Sequence, residues 1–157
     1  MKKLLFLLLA LPLLGLAVSC DDDDNLPKVD ITFSYTNGTV VGSQVYVVKP
    51  DTLYIDGISV KAVNTDHEAT IAGLVTYYVD GRMPGLVASP YERIPIVTEG
   101  LSIGQHNLSV AMNVAEEGCA LASAVVGVRF NVVADSTDIP SAASGYSNQM
   151  PVEYTLK

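Results

Sequence analysis

Short runs of alternating apolar and polar residues recur along the chain, and glycine, proline, asparagine or aspartate separates one run from the next. Successive side chains of a strand point to opposite faces of a sheet, so this alternation is typical of strands buried on one side only. The runs are rich in valine, isoleucine, threonine and tyrosine, and no stretch of useful length has a helical period. The pattern predicts an all-β domain.

Eight strands can be placed on this pattern, and seven or eight half-buried strands in one domain predict an antiparallel β-sandwich. The sequence also predicts how some strands bend and end. The apolar face changes phase at Gly57, which indicates a bulge or a crossing between sheet edges. Pro95 predicts an edge strand, and Asp80-Gly81 predicts a tight turn. The predicted strands cover residues 31–35, 44–49, 53–63, 70–80, 93–97, 105–115, 124–133 and 151–157.

The chain begins with two lysines, an apolar run over residues 4–16 and small residues before Cys20. A positive start, a short hydrophobic segment and a small-residue cut point predict a secretory signal peptide over residues 1–19. The apolar run is too short to cross a bilayer core, which needs about 20 apolar residues. Residues 20–28 then form an acidic tether that contains Pro27, and residues 29–157 form the domain.

The order Ala17-Val18-Ser19-Cys20 resembles the lipobox of bacterial lipoproteins. The resemblance implies that the Cys20 thiol receives diacylglycerol, that the leader is cut before it, and that the new amino terminus is acylated. The next four residues resemble the acidic surface-export tag of Bacteroides-like lipoproteins; they are Asp21, Asp22, Asp23 and Asp24. We therefore expect an outer-membrane lipoprotein on the cell surface, with a periplasm-facing lipoprotein as the alternative.

The charge of the chain excludes some partners. The whole chain has a formal net charge of −8, and two of its nine basic residues lie in the leader. The mature chain therefore carries seven basic and 17 acidic residues, a net charge of −10, of which the aspartate run supplies four. Affinity for nucleic acid comes largely from basic side chains that neutralise phosphates, so a nucleic-acid partner is not expected. The membrane contact is assigned to the lipid.

Three segments resemble bacterial Ig-like domains: residues 77–81 (YYVDG), 89–91 (SPY) and 101–108 (LSIGQHNL). The recurring order in that family is a YxxDG hairpin, an SPY step and an LxxGxHxL corner. The resemblance covers about residues 71–114 and implies an Ig-like pair of sheets. It also implies that His106, at the corner position, holds a turn by hydrogen bonding to the backbone.

No catalytic constellation is expected. His67 lies between two acidic residues, but neighbours in an extended chain point to opposite faces, so a solvated turn is the favoured interpretation. Glu116-Glu117 before Gly118 predicts a charged hairpin tip, and Cys119 is predicted to be a buried thiol. No Cys/His spacing suits a metal, and no glycine-rich phosphate loop occurs. We expect no enzyme activity, no cofactor and no metal.

The candidate contact residues for a glycan or protein ligand are Tyr78, Arg82, Tyr91 and Tyr146. A tyrosine combines an apolar ring with a polar tip, which suits such contacts. Tyr78 and Tyr77 should point to opposite faces. For Tyr91 the favoured interpretation is structural: as the anchor of the SPY step it plugs the end of the sandwich.

Two short motifs, around Thr52 and Ser136, resemble O-glycosylation sites of Bacteroides-like bacteria.

The sequence therefore predicts a lipid-anchored, surface-displayed binding or adhesion module without catalytic activity. The alternative is a structural subunit of a pilus-like surface assembly, which would offer a groove or exchange its terminal strand. The residues at 152–156 alternate and follow a long polar loop, so they are the candidate donor strand.

Overall fold

The computed structural model describes residues 26–63, 65–82, 85–141, 149–151 and 154–156. The predicted signal peptide, Cys20, the aspartate run and Tyr146 lie outside the described residues. No α-helix occurs in the described ranges. The strands are β1 (Val29–Thr36), β2 (Thr39–Val41), β3 (Gln44–Val48), β4 (Thr52–Ala62), β5 (Ala69–Val79), β6 (Leu86–Ala88), β7 (Ile94–Val97), β8 (Gly104–Glu116), β9 (Ala122–Val133), β10 (Gln149–Pro151) and β11 (Tyr154–Leu156).

The strands form two sheets that pack face to face around one core, so the prediction of an all-β sandwich is confirmed. The four-stranded sheet has the order β10-β1-β4-β7. The seven-stranded sheet has the order β2-β3-β9-β8-β5-β6, and β11 also pairs with β9. The pairing of β4 with β7, and of β8 with both β5 and β9, matches the B–E and C–F–G pairings of the immunoglobulin fold.

The predicted number of strands was too low. All eight predicted strands have a counterpart, and three strands of three residues each were missed: β2, β6 and β10. Three residues are too few for an alternating pattern to stand out, and these strands pair through backbone groups that the sequence pattern does not report. β7, which contains Pro95, lies at the edge of its sheet as predicted.

The phase change at Gly57 is a β-bulge, one of the two predicted interpretations. β1 pairs with β4 in one register from Val29 to Ser34, and the register shifts between Ser34 and Tyr35. Asp56 is the extra residue on β4, so the buried positions before and after it keep to the same side of the sheet. The bulge turns the Asp56 carboxylate outward, where it accepts hydrogen bonds from Thr36 and from Arg93 Nε at 2.9 Å.

The core lies between the sheets and consists of alternate residues of the long strands. Tyr35, Phe33 and Phe130 are its largest fully buried side chains. The inward residues are buried from His106 to Glu116 on β8 and from Ala122 to Val132 on β9. Their outward neighbours are therefore left on the opposite side of the seven-stranded sheet, as the alternation predicted.

Two tyrosine hydroxyls, those of Tyr35 and Tyr77, are buried without a hydrogen-bond partner among the described residues. Burial raises the pKa of Tyr35, and burial together with the Glu92 carboxylate raises the pKa of Tyr77 to about 12. A buried hydroxyl without a partner costs about 1–3 kcal/mol of stability.

We expect Tyr35→Phe to keep the free energy of unfolding unchanged or to raise it by about 1 kcal/mol, because the ring stays packed while an unpaired hydroxyl is removed. Urea unfolding followed by circular dichroism measures the difference. Tyr154→Phe is the matched control, since its hydroxyl donates to the Val29 carbonyl, and it should lose about 1 kcal/mol. A loss in Tyr35→Phe equal to that of the control would show that the Tyr35 hydroxyl is hydrogen-bonded.

Candidate functional site

The two ends of the sandwich differ in what they carry. We call one end the tether end, because the predicted tether leads to Lys28 there. This end also contains the β4–β5 connection and the β8–β9 hairpin. The backbone N–H of Lys28 donates to Glu116 Oε2 at 2.8 Å, so a buried carboxylate holds the point where the chain enters the fold. The Asp80-Gly81 turn and the β7–β8 connection lie at the other end, the distal end.

The hairpin after β8 is present, but the expectation that Glu116 is an exposed tip residue was wrong. Its side chain is 5% exposed, and His67 Nδ1 lies 3.7 Å from its Oε1 atom. Glu117 is exposed, and Gly118 has the positive φ that a turn residue needs. The tertiary structure places Lys28 over this carboxylate from 88 residues away in sequence, and no local pattern reports such a contact. Cys119 is half-buried, where a buried thiol was predicted.

The two histidines lie as predicted. His67 is exposed in the β4–β5 connection and lines an open cleft of about 470 Å³ together with Lys61, Asp66 and Glu68. His106 is 7% exposed and hydrogen-bonds the Ser102 carbonyl oxygen through Nε2 at 2.9 Å. This is the turn-holding backbone contact that the Ig-like resemblance implied.

His106 also pairs with Asp80 at the distal end. Its Nδ1 atom lies 2.8 Å from Asp80 Oδ2, and the ring stacks on Phe130. Both ring nitrogens face acceptors, so the doubly protonated imidazolium is the form that donates to both partners. Burial on its own would lower the pKa of His106, but the hydrogen bonds to Asp80 and Ser102 outweigh it and raise the pKa. The pKa of Asp80 is lowered by the Asn107 N–H and by His106.

The three candidate contact residues that the structure describes, Tyr78, Arg82 and Tyr91, lie on different elements. Tyr77 is in the core and Tyr78 is on the opposite face, as predicted. Tyr78 is half-buried, and the backbone of Gly85, just before β6, lies against its ring; a Cβ atom on Gly85 would come within 2.7 Å of the ring. Arg82 is exposed just after the β5–β6 turn.

Tyr91 is 80% exposed in the connection from β6 to β7. The interpretation that it plugs the end of the sandwich was therefore wrong, and it is accessible for contact. The SPY motif alone does not predict whether the tyrosine ring points into the sandwich or into solvent. No described hydrogen bond joins Tyr91 to Tyr78 or Arg82.

The two residues with O-glycosylation-like motifs differ in accessibility. Thr52 is half-buried at the start of β4, where it pairs with Val97 of β7. Ser136 is exposed in a 3-10 turn that Asp135 caps through the Thr137 N–H. Modification of either residue stays a prediction, and Ser136 is the more accessible acceptor.

A feature that the sequence pattern did not identify is the outer face of the seven-stranded sheet. We use this name for the even-numbered residues of β5 and the odd-numbered residues of β8 and β9, which point away from the core. Arg129 is the only charged residue among them, and all three strands lie within the described ranges. Its exposed apolar side chains are Leu74 and Val125, and Val87 of β6 lies beside them.

The polar side chains of this outer face are amides and hydroxyls that bond one another. Asn107 Nδ2 donates to Ser109 Oγ at 3.1 Å, and Ser123 Oγ donates to Asn113 Oδ1 at 2.9 Å. The middle of the face is low, because Ser109, Ala111 and Gly127 have small side chains or none. The alternation along β8 and β9 could have revealed this uncharged composition, but only the strand order shows that β5 continues it.

The exposed side of the four-stranded sheet is different. It carries Asp30, Asp56 and Lys61, and Arg93 lies just before β7. The Arg93 guanidinium lies 3.9 Å from the centre of the Tyr54 ring and pairs with Asp56. Among the strand residues that the structure describes, charges thus lie on the four-stranded sheet and are nearly absent from the outer face of the seven-stranded sheet.

The described ranges contain no group of three or more side chains suited to hold a metal ion. They also contain no helix that is long and apolar enough to cross a membrane.

No protein-family model matches this chain, and neither a curated protein nor a solved structure matches it.

Proposed function

We propose that this chain is a lipid-anchored, surface-displayed binding or adhesion module without catalytic activity, and that the outer face of the seven-stranded sheet is its contact surface. The composition of that face carries the proposal. The centres of protein interfaces are depleted of charged residues, and contiguous apolar exposure marks interaction sites. On an acidic chain, a sheet face with Arg129 as its one charge is the surface best suited to contact.

The proposed anchor agrees with the direction in which the chain enters the fold. The tether leads from Cys20 to Lys28, which Glu116 holds at the tether end. The strands run from this end to the distal end, so the outer face extends along the length of the domain. A domain attached at its tether end would leave this face open to a partner, and the partner class is a glycan or a protein.

Cells that display the protein are expected to adhere to surfaces coated with a neutral polysaccharide, a glycoprotein or cells of the same kind. Gly127→Glu should reduce this adhesion at least about tenfold, because it puts a carboxylate at the centre of the outer face. A side chain fits at this position, since a Cβ atom would come no closer than 3.9 Å to Asn107. Retained cells are counted after washing.

Ser59→Glu is the matched control, because it adds the same charge to the exposed side of the four-stranded sheet and should leave adhesion unchanged.

Protease added to intact cells should digest the domain of the wild type, of Gly127→Glu and of Ser59→Glu. Replacing Asp21, Asp22, Asp23 and Asp24 by alanine should protect it if the run is the export tag. Equal adhesion of Gly127→Glu and wild type would overturn the proposed contact surface, and full protection of the wild type would overturn surface display.

A structural subunit of a surface assembly is the second candidate. β11 pairs with β9 over three residues, and Tyr154 and Leu156 pack against the core only in part. A strand held by so few pairs is a candidate for exchange between copies. Deleting residues 151–157 should abolish assembly and spare the core if the strand is donated, whereas in a binding module it should only destabilise the domain.

A further inference from the structure

The outer face of the seven-stranded sheet is complementary to itself. In the register of the sheet, Tyr78, Ser109 and Gly127 form one row across β5, β8 and β9. The next row towards the tether end contains Thr76, Ala111 and Val125. In both rows the central residue, on β8, is small. In the first row Tyr78 has the largest side chain and Gly127 has none, and these two residues lie on opposite sides of Ser109.

We propose that two copies of this chain pair through this face about a two-fold axis that runs parallel to the strands above β8. This rotation brings β8 over β8 and places β5 of one copy over β9 of the other. Tyr78 then faces Gly127 of the second copy, where no side chain obstructs the ring. Ser109 and Ala111 meet their own counterparts at the axis, and their small size allows the two sheets to approach closely.

The face also keeps the acidic charge of the chain away from the contact. Arg129 is its one charged side chain, so pairing through this face sets few like charges against one another. Asp80 and Arg82 lie beyond it on the turn at the distal end of β5, where the Asp80 carboxylate is already paired with His106. Elsewhere two acidic copies would repel one another, since each whole chain has a net charge of −8. Charge therefore favours this face over the others.

The size of the face suits a stable pair. β5, β8 and β9 contribute 11, 13 and 12 residues to the face, and β6 contributes three. At about 3.3 Å along each strand and about 4.8 Å between strands, they cover about 600 Å² on each copy. Two such faces bury about 1,200 Å² in total, which is the lower limit for interfaces of standard size.

The direction of the axis also agrees with the tether. A two-fold axis parallel to the strands keeps both tether ends on the same side, so two lipid-anchored copies could pair on one membrane. An axis across the strands would send the tethers in opposite directions. This inference rests on the proposed contact surface and names its occupant as a second copy of the chain.

The test is sedimentation equilibrium of the full chain, purified in detergent whose density is matched by the solvent. We expect the wild type to have twice the mass of one chain. Gly127→Glu should weaken the pair at least about a hundredfold, because it places a carboxylate without a partner against Tyr78 of the second copy. Ser59→Glu, on the other sheet, should pair like the wild type. A monomeric wild type, or three proteins that pair alike because they share a micelle, would overturn the proposal.

The outcomes separate this inference from the proposed function. If the wild type is monomeric while Gly127→Glu still abolishes adhesion to a neutral polysaccharide, the face binds a glycan and the pairing is wrong. If the wild type pairs and only Gly127→Glu prevents it, the pairing stands whether or not cells adhere to any coated surface.

Discussion

Gly38→Ala is expected to lower the free energy of unfolding by about 2 kcal/mol, although it adds a single methyl group. A Cβ atom at this position would lie 2.5 Å from Leu53 Cδ1 and 2.9 Å from Val45 Cγ1. Both neighbours are buried, at 1% and 0% exposure, so neither can move aside without displacing the core. The backbone of Gly38 is not in the left-handed region, so the loss comes from packing alone.

Gly100→Ala is the matched control for this experiment. A Cβ atom at Gly100 would meet no other atom within 4 Å, and the φ of this residue is not positive, so alanine should be neutral or stabilising by about 0.5 kcal/mol. Urea unfolding of both variants measures the two differences. Adding Leu53→Val to Gly38→Ala should cost less than the two single changes together, because the shorter side chain leaves room for the methyl group. Equal stability of Gly38→Ala and Gly100→Ala would contradict the packing at this corner.

His106→Gln is expected to lower stability by about 2–3 kcal/mol at about pH 5.5, because it removes two hydrogen bonds that involve a charged ring. The pKa of His106 is raised in the fold, so its contribution is complete below the unfolded value of about 6.5 and is lost as the pH rises through the folded pKa. The pKa of Asp80 is lowered, so its contribution is complete above about 3.9 and is lost in acid.

The contribution of the His106–Asp80 pair to the stability of the wild type should therefore be largest between about pH 4 and 6.5. Its stability should fall as the pH rises from about 6.5 through the raised pKa of His106, and His106→Gln should remove this part of the slope. Denaturant unfolding at several pH values measures it. His67→Gln is the control, since His67 lies at the other end of the sandwich and the slope that is assigned to His106 should remain in this variant. A slope that persists in His106→Gln would assign the pH dependence to another group.

The predictions that held were those governed by local geometry. The strand faces, the bulge beside Gly57 and the turn at Asp80-Gly81 follow from the two-residue pleat and from residues that accept positive φ. Asp80 and Gly81 have φ values of 52° and 66°, as a tight hairpin turn requires. These features depend on neighbours in sequence, so the chain reports them directly.

The predictions that failed depended on distant contacts. Glu116 looked like a hairpin tip because two acidic residues precede a glycine, yet its carboxylate holds the Lys28 N–H. Tyr91 looked like an anchor because of the SPY step, yet the path from β6 to β7 leaves its ring in solvent. In each case the side chain's surroundings come from an element that the local sequence does not contain.

The contact surface shows the same division between sequence and structure. Alternation along β8 already assigned Ser109 and every second residue on either side of it to the outward face, because successive side chains of a pleated strand point to opposite faces. Only the tertiary structure decided that β5, β8 and β9 lie next to one another. Strands pair through backbone hydrogen bonds, which are the same for every residue type, so the sequence of a strand does not identify its partner. That pairing joins uncharged residues from three strands into one face.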